Sequence, residues 1–223
     1  FPYTTLFRSV FPNEPLVRVE GNIIECQLIE SLLLNIVNFQ TLIATKASRI
    51  FNASRQGSIL EFGLRRAQGV DGAISATRAA YIGGASATSN VLAGKMFGIP
   101  VAGTMAHSWV MAFPDERQAF MEFAKLYPDR CILLVDTFDT IKSGIPNAIT
   151  VFREMREKGL STIGIRLDSG DLEYLSKLAR REFDRAGFTD AKIYASNELD
   201  ENIIHQLVSR NAPIDSWGVG TSL

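Results

Sequence analysis

Cysteine is nearly absent from this 223-residue chain, which carries only Cys26 and Cys131. Two thiols so far apart match no metal-ligand spacing and no disulfide framework, which excludes a stapled secreted domain and fits a reducing cytoplasm. Neither sign of charge is in excess: 23 Lys and Arg face 24 Asp and Glu, so non-specific binding to nucleic acid has no electrostatic basis and no nucleic-acid partner is expected. Long apolar runs are lacking too. Leu32-Leu33-Leu34 is broken almost at once by Asn35 and Asn38, so no membrane span is expected. There is no secretory pattern, no internal repeat and no low-complexity linker. What remains is an ordinary soluble composition, 46% apolar and 21% charged, long enough to bury one core with a piece of a second domain.

The first residues, Phe1-Pro2-Tyr3-Thr4-Thr5-Leu6-Phe7-Arg8-Ser9, have no initiator Met and coincide with one reading frame of a common sequencing adapter. Residues 1–9 are therefore expected to be a non-native leader and are set aside. Pro15 to Glu20 alternates apolar and polar and is read as a half-buried strand closed by Gly21. Asn22 with Glu25 has the form of a capping box. The helix that follows places Leu28, Leu32, Ile36, Phe39, Ile43, Ala47 and Ile50 on one face, expected to be buried.

After Gly57 short apolar strands alternate with helices. The expected strands are Ser58 to Phe62, Val101 to Thr104, Cys131 to Asp136, Thr162 to Leu167, Lys192 to Ser196 and Ser216 to Val219. The expected helices are Asp71 to Ile82, Thr88 to Phe97, Asp115 to Leu126, Pro146 to Lys158, Leu172 to Ala186 and Glu201 to Arg210. Pro146 suits a first helical turn, Gly159 a helix end, and Pro128 closes the helix before it. Such alternation predicts an α/β fold on a parallel sheet, open or closed into a barrel.

Chemistry in such folds sits at the carboxyl ends of strands, and here those ends are polar. Gly103-Thr104-Met105-Ala106-His107-Ser108 puts two hydroxyls and an imidazole just past one strand. Phe62-Gly63-Leu64-Arg65-Arg66 offers an aromatic face and guanidinium forks suited to phosphate or carboxylate. Asp136-Thr137 closes a third strand, Arg166-Leu167-Asp168-Ser169-Gly170-Asp171 a fourth. Ser196-Asn197 and Gly218-Val219-Gly220-Thr221 complete the series, the last as a candidate phosphate cradle of backbone amides. Taken singly, each has a plain alternative. A lone histidine is commonly a core residue, Asp168 or Asp171 can simply cap the helix at Leu172, and Arg65 or Arg66 can be surface charge. Five further polar strand ends beside that of His107 together favour a site.

Three blocks carry a resemblance: Glu61-Phe62-Gly63-Leu64-Arg65-Arg66-Ala67-Gln68-Gly69, then Gly103 to Ser108, then Ile165 to Leu172. With Ala195-Ser196-Asn197-Glu198-Leu199-Asp200 and Gly218 to Thr221 in the same order, the chain resembles nicotinate phosphoribosyltransferases from Val10 to Leu223. Met105 departs from the pattern, standing where a more polar residue is expected. The resemblance implies an irregular, incomplete (β/α) barrel of the type II phosphoribosyltransferase kind. In that scheme residues 10–57 are part of a smaller flanking α/β domain, and residues 58–223 are the catalytic barrel, truncated at its C-terminal end, so the chain is an internal fragment.

The same resemblance implies a reaction: nicotinate and phosphoribosyl pyrophosphate give nicotinate mononucleotide and pyrophosphate, with coupled ATP hydrolysis and Mg²⁺. The enzyme would be a cytoplasmic homodimer with a shared active site, to which the family's amino-terminal part, missing here, contributes a tyrosine. His107 matches the histidine phosphorylated from ATP, with Ser108 beside it as support. Thr104 and Arg166 would contact nicotinate. Arg65, Ser196, Asn197 and the Gly218, Gly220 and Thr221 loop would hold phosphates. From the chemistry itself, Phe62 is the ring expected to stack on the pyridine, and Asp168 the carboxylate expected to take a hydrated metal ion or the ribose hydroxyls. His205, mid-helix and without a cluster, is expected to be structural. Two alternatives stand beside this: a sister enzyme using nicotinamide or quinolinate, and a truncated product without activity.

Overall fold

The computed structural model describes residues 13–159 and 163–223. The leader at 1–9 and Thr162, the first residue of one expected strand, lie outside the described residues. The chain forms two compact units, Phe1–Asn38 and Phe39–Leu223.

In the first unit, Asn22 opens helix α1 (Ile23–Ala53) as an N-cap, while among the described residues Glu25 makes no return bond to complete the expected capping box. Its Oδ1 accepts the Ile24 amide at 3.0 Å and its carbonyl accepts that of Cys26 at 2.9 Å. Two expectations fail here. Pro15 to Glu20 is not a strand: it is exposed throughout, and no second strand among the described residues accepts its ladder. Leu28, Leu32 and Ile36 are 77%, 60% and 44% exposed. Helical spacing determines which residues share a face, not whether another layer covers it. α1 also contains an 18-residue stretch of mean hydropathy 1.4, so by length and composition it is apolar enough to cross a membrane, contrary to the sequence expectation. Buried core helices of soluble proteins and N-terminal signal sequences meet the same criterion, and none of this stretch is buried. In the second unit the helix does place Ala47 and Ile50 in the core, as expected.

The second unit is built on six strands: β1 (Ser58–Glu61), β2 (Ala87–Thr88), β3 (Cys131–Leu134), β4 (Ile163–Leu167), β5 (Lys192–Ala195) and β6 (Ser216–Val219). All pairings are parallel, in the order β2-β1-β6-β5-β4-β3. The order is that of a ring of consecutive strands opened at one seam, between the edge strands β2 and β3. The segment at that seam, expected as the strand Val101 to Thr104, makes a single bridge, Val101 to Thr88. Thr88, expected to begin a helix, instead ends β2, and helix α2 (Gly69–Ile82) precedes it. Helix α3 (Val91–Phe97) starts later because Asn90 caps it, its Oδ1 accepting the Ala93 amide at 3.2 Å. The result is the irregular, incomplete α/β barrel that the resemblance implies.

Helices α4 (His107–Met111), α5 (Glu116–Leu126), α6 (Ile145–Glu157), α7 (Leu172–Arg185) and α8 (Glu201–Ser209) complete the alternation. Asp115, Asp171 and Asp200 cap α5, α7 and α8 through their carboxylates. Pro146 lies in the first turn of α6, and a π-turn at Thr140–Gly144 leads into it.

Register separates the wall into two faces, since successive side chains alternate. One face carries Ile59, Trp217, Val219, Ala195, Ile193, Ile165, Leu167, Leu133 and Cys131, paired in line and all buried in one core with Phe120, Phe152 and Phe183. The other carries Leu60, Gly218, Ser216, Tyr194, Arg166, Gly164 and Ile132 in the same register. Continuing the alternation past the strand ends brings Phe62, Ser196, Asp168 and Gly220 to this second face. The second face holds the site.

Candidate active site

A cavity of about 570 Å³ opens where the strands end. Among its lining residues are Phe62 and Arg65 after β1, Thr104 and His107 before α4, and Arg166 and Asp168 at the end of β4. Ser196 and Asn197 line it after β5, and Gly218, Gly220 and Thr221 at and beyond β6. Eleven of the twelve residues singled out in the sequence therefore face one space. The exception is Ser108, exposed on α4 and absent from the lining. Asp171 serves as the cap of α7, accepting the Tyr174 amide at 3.0 Å, whereas Asp168 faces the cavity. His205 is exposed on α8 and lies outside the lining.

Phe62 extends the β1–β6 ladder, its amide donating to the Val219 carbonyl at 2.7 Å. Its ring rests on Gly218: a Cβ there would lie 2.6 Å from the ring Cε2. Only a residue without a side chain lets the ring come this close to the strand. Asn197 and Glu198 adopt positive φ, +91° and +46°, sparsely populated for residues other than glycine, and such strain gathers at ligand-binding turns. Met105, the departure from the family pattern, is 4% exposed and packs in the core, so an apolar residue fits its surroundings.

The electrostatics are set by two guanidiniums and two carboxylates. The Arg166 side chain is 13% exposed, with one nitrogen 3.9 Å from Asp168 Oδ2, and its Nε has no partner. Burial pulls its pKa below the ordinary guanidinium value; Asp168 and Asp136 act in the opposite sense, and Arg65 adds to the lowering. Arg65 and Arg166 thus share one field, and a buried cation with an idle donor favours an anion as its partner. Asp168 Oδ1 accepts the Ser196 hydroxyl at 2.5 Å.

Asp136, just past the end of β3, carries no assigned role by sequence alone. Its side chain is 2% exposed and Oδ1 lies 3.3 Å from His107 Nε2. Its Oδ2 accepts the Asp168 amide at 3.1 Å and the Ser169 hydroxyl at 2.5 Å. One carboxylate therefore orients the histidine and ties down the loop that carries Asp168. Its one sequence signal was a carboxylate at a strand end. Among the described residues no group of three or more His, Cys, Asp or Glu could cage a metal ion. A hydrated Mg²⁺ held mainly by phosphates needs only one or two carboxylates, and Asp168, 28% exposed, fits that smaller role.

Residues 58–223 match the profile of the nicotinate phosphoribosyltransferase (NAPRTase) family. The chain is 58% identical over 214 residues to the nicotinate phosphoribosyltransferase of Bacillus subtilis, covering 96% of this chain and 43% of that protein. Against the human nicotinate phosphoribosyltransferase it is 33% identical over 267 residues, covering 96% and 50%. The crystal structure of human nicotinic acid phosphoribosyltransferase superposes with a TM-score of 0.87 at 32% identity, over 95% of this chain and 53% of that one. Nicotinate-nucleotide pyrophosphorylase from Pyrococcus furiosus does so with 0.70 at 30% identity, over 82% and 46%. The chain spans about half the length of the curated relatives it matches.

Proposed function

This chain belongs to the nicotinate phosphoribosyltransferase family, and from that premise we propose that it carries the catalytic barrel of an enzyme joining nicotinate to phosphoribosyl pyrophosphate with coupled ATP hydrolysis. The observation that carries the proposal is the shared cavity, lined by an aromatic ring packed on glycine, two guanidiniums and a hydroxyl-bound carboxylate. Each part has a task. Nicotinate is a flat ring with a carboxylate, so Phe62 takes the ring face and Arg166 the carboxylate, with Thr104 alongside. Nicotinamide has no negative charge to answer Arg166.

Departure of pyrophosphate leaves positive charge on the anomeric carbon while the base nitrogen closes on it, so the enzyme's work is positioning and charge stabilisation. Asp168, steadied by Ser196, faces the ribose hydroxyls. Arg65 and the Gly218 to Thr221 turn hold phosphate oxygens, with Asn197 beside them. Mg²⁺, when bound, supplies charge neutralisation on the leaving pyrophosphate, with Asp168 as the carboxylate that holds its hydration shell.

ATP coupling is assigned to His107. An ionised carboxylate only accepts, so Asp136 keeps the imidazole proton on Nε2 and leaves the lone pair on Nδ1. Nδ1 attacks the γ-phosphorus, a P–N bond forms, the bond to the β-γ bridging oxygen breaks, and ADP leaves with the electron pair. Water later cleaves the P–N bond, returning imidazole and phosphate. The proposal extends to a cytoplasmic homodimer, with residues 10–57 in a flanking domain and a second subunit completing the site.

The test follows mononucleotide formation from nicotinate and nicotinamide in parallel, with and without ATP, using this chain and the product of its complete open reading frame. Turnover of nicotinate that rises with ATP is expected. Preference for nicotinamide would overturn the substrate, and silence of both proteins toward both bases would overturn the activity.

A further inference from the structure

On the helix-facing surface of the barrel wall, one charged residue interrupts an otherwise uncharged register: Glu61 at the end of β1. It is 3% exposed, and no cation pairs with it among the described residues. Its partners are neutral. Oε1 accepts the Gly63 amide, and Oε2 accepts the hydroxyls of Thr77 at 3.0 Å and Thr88 at 2.5 Å. A buried carboxylate is expensive to desolvate, and an apolar side chain of similar volume commonly serves stability as well or better. What Glu61 contributes is therefore sought in the groups it holds.

Those groups come from three elements and lead to the cavity. Thr77 lies on α2 and Thr88 on β2. Asn90 closes the ring, its amide N–H donating to Thr88 Oγ1 at 2.8 Å and its side-chain amide to Thr77 Oγ1 at 3.3 Å. Gly63 is where the chain turns from β1 into the 3-10 turn Leu64–Arg66, and its carbonyl accepts the Arg66 and Ala67 amides at 2.9 and 3.1 Å. A Cβ on Gly63 would lie 2.9 Å from Glu61 Oε1, so the turn is drawn close against the carboxylate. On either side of that clamp sit Phe62 and Arg65. Ser89, next to Thr88, also lines the cavity and donates its amide to the Glu61 carbonyl at 3.0 Å.

We infer that Glu61 is a positioning residue: from behind the wall its carboxylate fixes the Phe62–Arg65 turn directly, and through the Thr88 hydroxyl the start of the segment that carries Ser89, so that ring and guanidinium meet the substrates in one geometry. Glu61 itself touches no substrate. The inference rests on the reaction proposed above, which makes Phe62 and Arg65 substrate contacts.

The test compares Glu61→Gln, Thr88→Val and a control, Ile59→Val, in the product of the complete open reading frame. Gln keeps the volume and removes the charge: its oxygen can still accept the Gly63 amide, but the Thr77 and Thr88 hydroxyls lose their ionised acceptor and must turn to accept from the new amide, so charge-assisted bonds give way to weaker neutral ones. Thr88→Val removes a single donor and is the variant that decides if Glu61→Gln does not fold. Ile59 lies on the same face two residues earlier and is fully buried, so its shortening weakens the core without touching the clamp. Glu61→Gln is expected to raise KM for nicotinate and for phosphoribosyl pyrophosphate about tenfold, short of the ~100-fold that a full ~1 Å misplacement can cost, and to lower kcat as well, because the same geometry orients the reacting groups. Thr88→Val should move both KM values in the same direction by less. Ile59→Val should lower Tm and leave KM unchanged. Amide hydrogen exchange across residues 62–67 should quicken in the first two variants alone. Glu61→Gln or Thr88→Val behaving like Ile59→Val, with Tm lowered while KM and exchange stay put, would overturn the inference. If the unmutated protein makes no mononucleotide, the reaction is what falls, and the exchange pattern still decides whether Glu61 clamps the turn.

Discussion

Gly218→Ala tests the contact on which the proposed base site depends. The added Cβ would stand 2.6 Å from Phe62 Cε2, 2.9 Å from Cδ2 and 3.2 Å from Ser196 Cβ. Carbon atoms settle at ~3.5–4.0 Å, so the ring has to retreat by about 1 Å. Backbone strain is not involved, because Gly218 lies in β6 and is not among the positive-φ glycines. Overpacking of this kind costs ~1–3 kcal/mol. At ~2–4 °C per kcal/mol for a chain of this size, Tm should fall by about 2–12 °C. Losing an offset aromatic contact worth ~0.5–1.5 kcal/mol should raise the nicotinate KM roughly two- to twelvefold, at about 1.4 kcal/mol per factor of ten. Initial rates against nicotinate and calorimetric Tm read both effects. A double-mutant cycle with Phe62→Ala then isolates the contact: with the ring gone the methyl has room, so the two penalties should not add, and the shortfall should exceed ~0.5 kcal/mol. An unchanged nicotinate KM with strictly additive penalties would refute the stacking role of Phe62.

Three further outcomes are expected. His107→Ala should abolish stimulation by ATP while sparing some ATP-independent turnover, and Asp136→Asn should reduce that stimulation about tenfold or more by loosening the ring's tautomer and orientation; full stimulation in either variant, in parallel assays with and without ATP, would refute the role given to it. Arg166→Lys keeps the charge but loses the planar fork, and a charged hydrogen bond of ~1.5–3 kcal/mol predicts a rise of about ten- to a hundredfold in nicotinate KM, checked by the same rates. Burial pushes the Cys131 thiol from 9.0 up to about 12. The unfolded thiol ionises first, so the stability Cys131 contributes is complete below pH ~9 and is lost as pH rises toward ~12, by ~1.4 kcal/mol per unit. Urea melts from pH 8 to 11 should show that slope in the native chain and a shallower one in Cys131→Ala.

The parts of this protein that were legible from residues alone are those governed by near neighbours in the chain. Helix ends at Asn22, Pro146 and Gly159, the strand-helix alternation after Gly57, and the polar strand ends all express chemistry within a few positions. Once the strands are parallel, a polar residue just past a strand's end has to face the common rim, which is why eleven of twelve candidates converge. The exceptions follow the same logic in reverse. Pro15 to Glu20 has the alternation of a strand and no ladder partner; Val101 to Thr104 is apolar and makes one bridge, while the shorter Ala87–Thr88 pairs. Leu28 and Leu32 repeat like core residues and stay exposed.

Only the tertiary structure decided what Asp136 and Glu61 do, since each acts on groups brought beside it from other strands and helices. His107 is 29 residues from Asp136, and Thr77 and Thr88 are 16 and 27 from Glu61. By itself the sequence determined the order of elements and the chemical inventory at the strand ends, because backbone propensity and capping are local. Pairing, burial and the partner of each carboxylate were left to the fold, because a hydrogen bond depends on distance in space and not on distance along the chain.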